Sequence, residues 1–223
     1  MKAYLAIFKK DIKIVFSTKG GIIEPLLLGL IFIFTFSLAS SNLGKIDPIW
    51  TGTIFWICSV FCSVLIFREL YRVEETYNTL ELIMISPISV EGFFITKTIV
   101  GIICLGFVQM LFLLLMTIFL KINGFDYIIS LLPMIILIDW GIGIISSFFG
   151  GAIAGGEVKD SFITTIVFPM QIPLLIGGIK IWENLFTIGG VGNSKNWINL
   201  IISFDGIFTG ICLFLFPFLF SKR

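Results

Sequence analysis

Histidine is absent from this chain, and charged residues are scarce. Without imidazole the sequence lacks the commonest haem and zinc ligand and the usual general base. It has no G-x-x-x-x-G-K-[ST] run, the loop whose backbone amides cradle a nucleotide phosphate, so ATP hydrolysis by this chain alone is not expected. No basic patch with interleaved aromatics stands out, which removes the usual footprint of a nucleic-acid binder. The four cysteines, Cys58, Cys62, Cys104 and Cys212, all lie in apolar stretches, with no C-x-x-C pair. They read as reduced, small hydrophobes rather than metal ligands. The run MKAYLAIFKKDIKIVF is interrupted by Lys9, Lys10, Asp11 and Lys13, so no continuous h-region of a cleavable signal peptide is expected. Charged residues make up 13% of the chain against 57% hydrophobic, with a mean hydropathy of +1.09. So few charges could not cover a soluble domain, and lipid must serve as solvent for much of the exterior.

What is present is a series of long apolar runs. A bilayer crossing takes roughly 20 residues. Six runs reach that length, at about 22–41, 49–68, 93–120, 128–150, 162–179 and 198–220. The expected fold is an all-α membrane protein with a single transmembrane domain over 1–223. With both termini in the cytoplasm, the inner side carries Lys2, Lys9, Lys10, Lys13, Lys19, Arg68, Arg72, Lys97, Lys159, Lys222 and Arg223. The outer side then carries Lys45, Lys121, Lys180 and Lys195, and eleven against four obeys the positive-inside rule.

Two amphipathic stretches flank this array. In residues 1–20, Leu5, Phe8, Ile12, Val15 and Phe16 recur at helical spacing and lysines fill the other positions. That pattern predicts a helix lying on an anionic inner leaflet. In 179–188, Ile181, Trp182, Leu185 and Ile188 alternate with polar residues, which predicts a short interfacial or re-entrant helix at the outer mouth, or an ordinary loop with a belt tryptophan.

The longest charged break inside the array is 69–92. Arg68 and Arg72 mark the inner end of the second run, and Glu69, Glu74 and Glu75 make an acidic turn. Asn78 tolerates a left-handed joint. Leu80, Glu81, Leu82, Ile83, Met84 and Ile85 read as a second short helix that Pro87 ends. Acidic in front and apolar behind, such a loop suits docking of a soluble partner, with Glu74, Glu75, Asn78, Leu80, Glu81, Met84 and Pro87 as the contact and joint residues.

Inside the runs, a few residues stand apart. Asp139, Asp205 and Gln109 are polar groups at membrane depth, where each is a functional candidate by default or a hydrogen-bonded packing element. Pro169 and Pro173 should kink or loosen the fifth run, since neither has an amide donor. Gly143, Ser147, Gly151 and Gly155 recur every four residues and predict close helix packing, within one subunit or between two.

The pattern from Arg72 to Pro87, with T-L-E-L and S-P at fixed places, resembles the first cytoplasmic loop of ABC-2 type exporter permeases. Together with FPMQIPLLIGG at 168–178, it resembles more closely the haem exporter protein B family (CcmB) of cytochrome c maturation. Asn78 stands where that family usually has glycine, and the loop GGEVKDS at 155–161 is more acidic than the family's.

The resemblance implies an ABC-2 (type V exporter-like) permease architecture whose amino-terminal helix is the elbow before the first span. It implies a permease subunit of the bacterial inner membrane that is not itself an enzyme, with ATP hydrolysed on a partner ATPase. Haem would be handled by a neighbouring membrane protein and a haem chaperone, with no cofactor held by this chain. Two copies would match two ATPase subunits, so a homodimer in membrane lipid is expected. A general ABC-2 exporter of lipid, glycan or drug, and a non-transporting scaffold of a haem lyase complex, share these features and stay open.

Overall fold

A bilayer offers no water to a backbone amide, so each crossing segment must satisfy its own N–H and C=O groups, and a helix does this within one segment. The computed structural model describes residues 2–41, 46–77, 88–122, 128–156, 160–188 and 194–219, and it is helical almost throughout. Helix α1 spans Lys2–Ser17 and passes through a π-helical turn, Lys19–Ile23, into α2, Glu24–Ala39. Then follow α3 (Pro48–Tyr77), α4 (Val90–Phe119), α5 (Ile128–Ala154), α6 (Asp160–Ile188) and α7 (Lys195–Leu215), with a 3-10 turn at Phe216–Leu219. Among the described residues, six helical segments are long and apolar enough to cross a membrane: Gly20–Ala39, Pro48–Tyr77, Val90–Phe119, Ser130–Ala154, Ile166–Thr187 and Lys195–Leu219. No strand occurs among the described residues.

Helix α3 is the axis of the bundle and packs against α2, α4, α5 and α6. Helix α7 lies to one side against α5 and α6, while α1 lies against α4 and the end of α3. Lipid tails are as apolar as leucine, so helix association here depends on close packing and interhelical hydrogen bonds. The small-residue ladder on α5 supplies the first. A Cβ on Gly143 would sit 2.7 Å from Ile102 of α4, and one on Gly151 would sit 2.4 Å from the Phe216 ring. Ser147 bonds the Tyr71 hydroxyl of α3 at 3.0 Å. Gly143, Ser147 and Gly151 therefore pack within the chain. The ladder's last member, Gly155, donates its N–H to the Gly151 carbonyl, and Gly156 at φ 72° ends the helix in a left-handed conformation open to glycine.

Two boundaries differ from the sequence expectation. The second span does not stop at residue 68: α3 runs unbroken to Tyr77, so 69–77 is helix rather than loop. Its inward stripe continues through Leu70, Tyr71 and Glu74, all buried, and Arg72 pairs with Glu69 one turn back. Likewise no separate helix forms at 179–188, because α6 continues without interruption to Ile188. Ile181, Trp182 and Leu185 extend its buried stripe, and the Trp182 indole donates to Thr51 Oγ1 at 3.1 Å while stacking on Phe55. Pro169 and Pro173 lie inside this same helix. Gln171, between them, donates to Ser146 of α5 at 2.9 Å. The four cysteines are free and buried.

Candidate functional site

Three elements converge where α1 meets the end of α3 and the start of α4. Ser89 caps α4 by accepting from the Gly92 N–H at 3.1 Å, and roughly two turns later Lys97 points into the bundle. Its side chain is 0% exposed. An ammonium has three donors, and here each has an acceptor: the Leu70 carbonyl at 2.6 Å, Glu74 Oε2 at 2.9 Å and Asp11 Oδ1 at 3.2 Å. The rings of Tyr71 and Phe93 stand 5.2 and 5.5 Å from the charge. From α1, Lys10 reaches Glu74 Oε1 at 2.6 Å and Asp11 Oδ1 at 3.2 Å. Two ammonium groups and two carboxylates leave the cluster without net charge.

The arrangement explains the residues that form it. A lone buried charge would be unsustainable, whereas a paired and hydrogen-bonded one is retained. Asp11 is wholly buried and its Oδ2 has no protein partner. Burial raises its carboxyl above the usual range, against the opposing pull of Lys97 and Lys10. For Lys10, burial alone would lower the ammonium, but Glu74 and Asp11 outweigh it and the net direction is up.

Among the residues expected to meet a soluble partner, Glu74 is 1% exposed and engaged on both oxygens by lysines. It faces the bundle rather than a docking surface, because the helix continues and turns that position inward. Glu75 is exposed beside it. Asn78, Leu80, Glu81, Met84 and Pro87 lie outside the described residues. Glu69 and Arg72 form a two-bonded pair, with Arg72 Nε 2.8 Å from Glu69 Oε2 and Nη2 2.8 Å from Oε1.

A second polar group lies at mid-bundle. Gln109 of α4 donates to Asp139 Oδ1 of α5 at 2.8 Å, so two of the three intramembrane candidates meet. The third does not join them. Asp205 of α7 is 6% exposed, and neither of its oxygens has a protein partner. It sits over Gly141, where a Cβ would come 2.1 Å from Oδ1. The neighbouring Trp140 indole donates to Thr209 of α7 at 3.0 Å. Among the described residues no group of three metal-ligating acids or cysteines occurs.

Sequence reasoning missed Asp11 and gave Lys97 only a topological role. The available signal was an acid among the lysines of an amphipathic helix and a lysine well inside an apolar run. The comparison with family models finds a match over residues 2–221 to the family described as CcmB protein. No curated protein matches the chain.

Proposed function

Since the chain belongs to the CcmB protein family, we propose that it is the permease subunit of an ABC complex for cytochrome c maturation. Membership makes it a multi-pass membrane component of the haem-handling system, and not itself an enzyme. The proposal adds the division of labour. A separate ATPase hydrolyses ATP, a neighbouring membrane protein handles haem, and the conformational change releases a haem-loaded chaperone. On this reading the chain resides in the inner membrane as a homodimer with both termini in the cytoplasm.

The observation that carries the reading is the family match together with the shape of α3. That helix extends past its apolar portion to Tyr77, ending in Glu69, Arg72, Glu74 and Glu75 next to residues 78–87. A stiff helix leading from a docking segment to the axis of the bundle can transmit a push, because helices bend little between joints. The eleven-to-four distribution of basic residues supports placing that end in the cytoplasm.

The test is purification of the tagged full-length chain from detergent-solubilised membranes. An ABC ATPase should co-purify with the wild type and be lost from the Glu75→Lys, Glu81→Lys double variant at equal chain recovery. Absence of any ATPase in the wild-type eluate, under mild detergents that keep the membrane partners bound, would contradict the proposal.

A further inference from the structure

Lysines near helix ends ordinarily extend their stems toward water. Lys97 runs inward instead and ties together α4, α3 and α1. Lys10 returns from α1 to Glu74, and the Tyr4 hydroxyl lies 3.2 Å from Ser89 Oγ and accepts from the Ser89 N–H at 3.2 Å. Both helices that flank residues 78–87 are therefore fastened to the same face of α1. The Arg72–Glu69 pair cannot do this, since both residues belong to one helix.

We propose that Lys97, Asp11 and Glu74 are positioning residues that form a rigid joint, so that α1 moves together with the ends of α3 and α4. The proposal rests on the coupling reading above and names the residues that carry the movement. A latch would need its bonds to open, but every donor of Lys97 is used in a buried, neutral cluster, and removing one partner strands a charge. Movement of α1 then reaches the first span through the turn Lys19–Ile23. The chain is tightly folded there: a Cβ on Gly21 would come 2.0 Å from the Val15 carbonyl oxygen. A displacement of α1 is thus delivered to α2 rather than absorbed at the turn.

The test uses inside-out native membrane vesicles that hold the full chain, carrying Tyr4→Cys and Ser89→Cys, together with its ATPase partner, treated with a short bismaleimide. The length of a tyrosine side chain puts the two backbones beyond disulfide reach. The four native cysteines are buried, so background crosslinking is low. The joint predicts the same crosslinking yield, within roughly twofold, with and without ATP. It also predicts a roughly tenfold fall in yield when Asp11→Asn is added at equal protein level, since one link of a buried cluster is gone. An ATP-dependent yield, or an unaltered yield in the Asp11→Asn chain, overturns the joint. If Asp11→Asn fails to accumulate, the ATP comparison in the parent chain decides alone. Maleimide labelling of Glu75→Cys reports separately on whether ATP moves this end of α3. Labelling that ignores ATP would count against the coupling reading, whereas the crosslinking yields bear on the joint itself.

Discussion

Two buried polar regions of this bundle follow opposite rules. At the junction of α1, α3 and α4, four charges cancel and Lys97 has an acceptor for every donor. At mid-bundle, Asp139 has one partner, Gln109 Oε1 has none, and Asp205 has none on either oxygen. A network whose charges are paired rigidifies the elements it joins, even with Asp11 Oδ2 left without a protein partner, while a carboxyl with one partner or none retains an unmet demand for a proton or a partner. The junction therefore reads as structure that transmits, and the mid-bundle carboxyls as groups that packing alone does not satisfy.

The contrast sets the order of expected effects. Lys97→Met leaves two buried carboxylates with Lys10 as their one cation and should destabilise the chain by about 3–5 kcal/mol, seen as loss of membrane accumulation. Adding Asp11→Asn alone should restore accumulation, because the remaining Lys10–Glu74 pair is neutral and has no uncompensated charge. Gly141→Ala forces a methyl against Asp205 and Leu174 and should cost about 2 kcal/mol, read as a lower melting temperature in detergent. Gln109→Leu removes the one partner of Asp139 and should cost about 1 kcal/mol or more. Asp139→Asn, which keeps an acceptor for Gln109, should leave the melting temperature nearly unchanged. A loss of c-type cytochromes in that variant would assign the carboxyl a role beyond packing. Smallest of all, Asp205→Asn should change stability by less than about 0.5 kcal/mol, since no hydrogen bond to protein is lost. A large drop there would make mid-bundle resemble the junction and erase the contrast.

Much of this was legible in the sequence because lipid imposes a simple rule on it. Apolar length alone located the six crossings, and the four-residue spacing of Gly143, Ser147, Gly151 and Gly155 announced a packing face. The limits of α3 and α6 were not legible. Polarity reads as loop when a polar residue faces water, but Glu74 is polar and faces the bundle, and Trp182 looks like a belt residue yet is buried against Thr51 and Phe55. The junction was hidden for a different reason. Lys97 and Asp11 are 86 residues apart, and no local pattern links an acid in a surface helix to a lysine inside a span. Their pairing exists only once α1 is laid against α4. The same holds for Gln109 and Asp139: each was noticeable as a polar group at membrane depth, but their meeting is a property of the packed helices.

The most direct test of the functional account is covalent haem staining of membranes from a strain deleted for this gene, with and without the wild-type copy, where no second maturation system operates. The account predicts that c-type cytochromes disappear on deletion and return with the wild-type chain. Normal haem-stained bands in the deletion strain would contradict it.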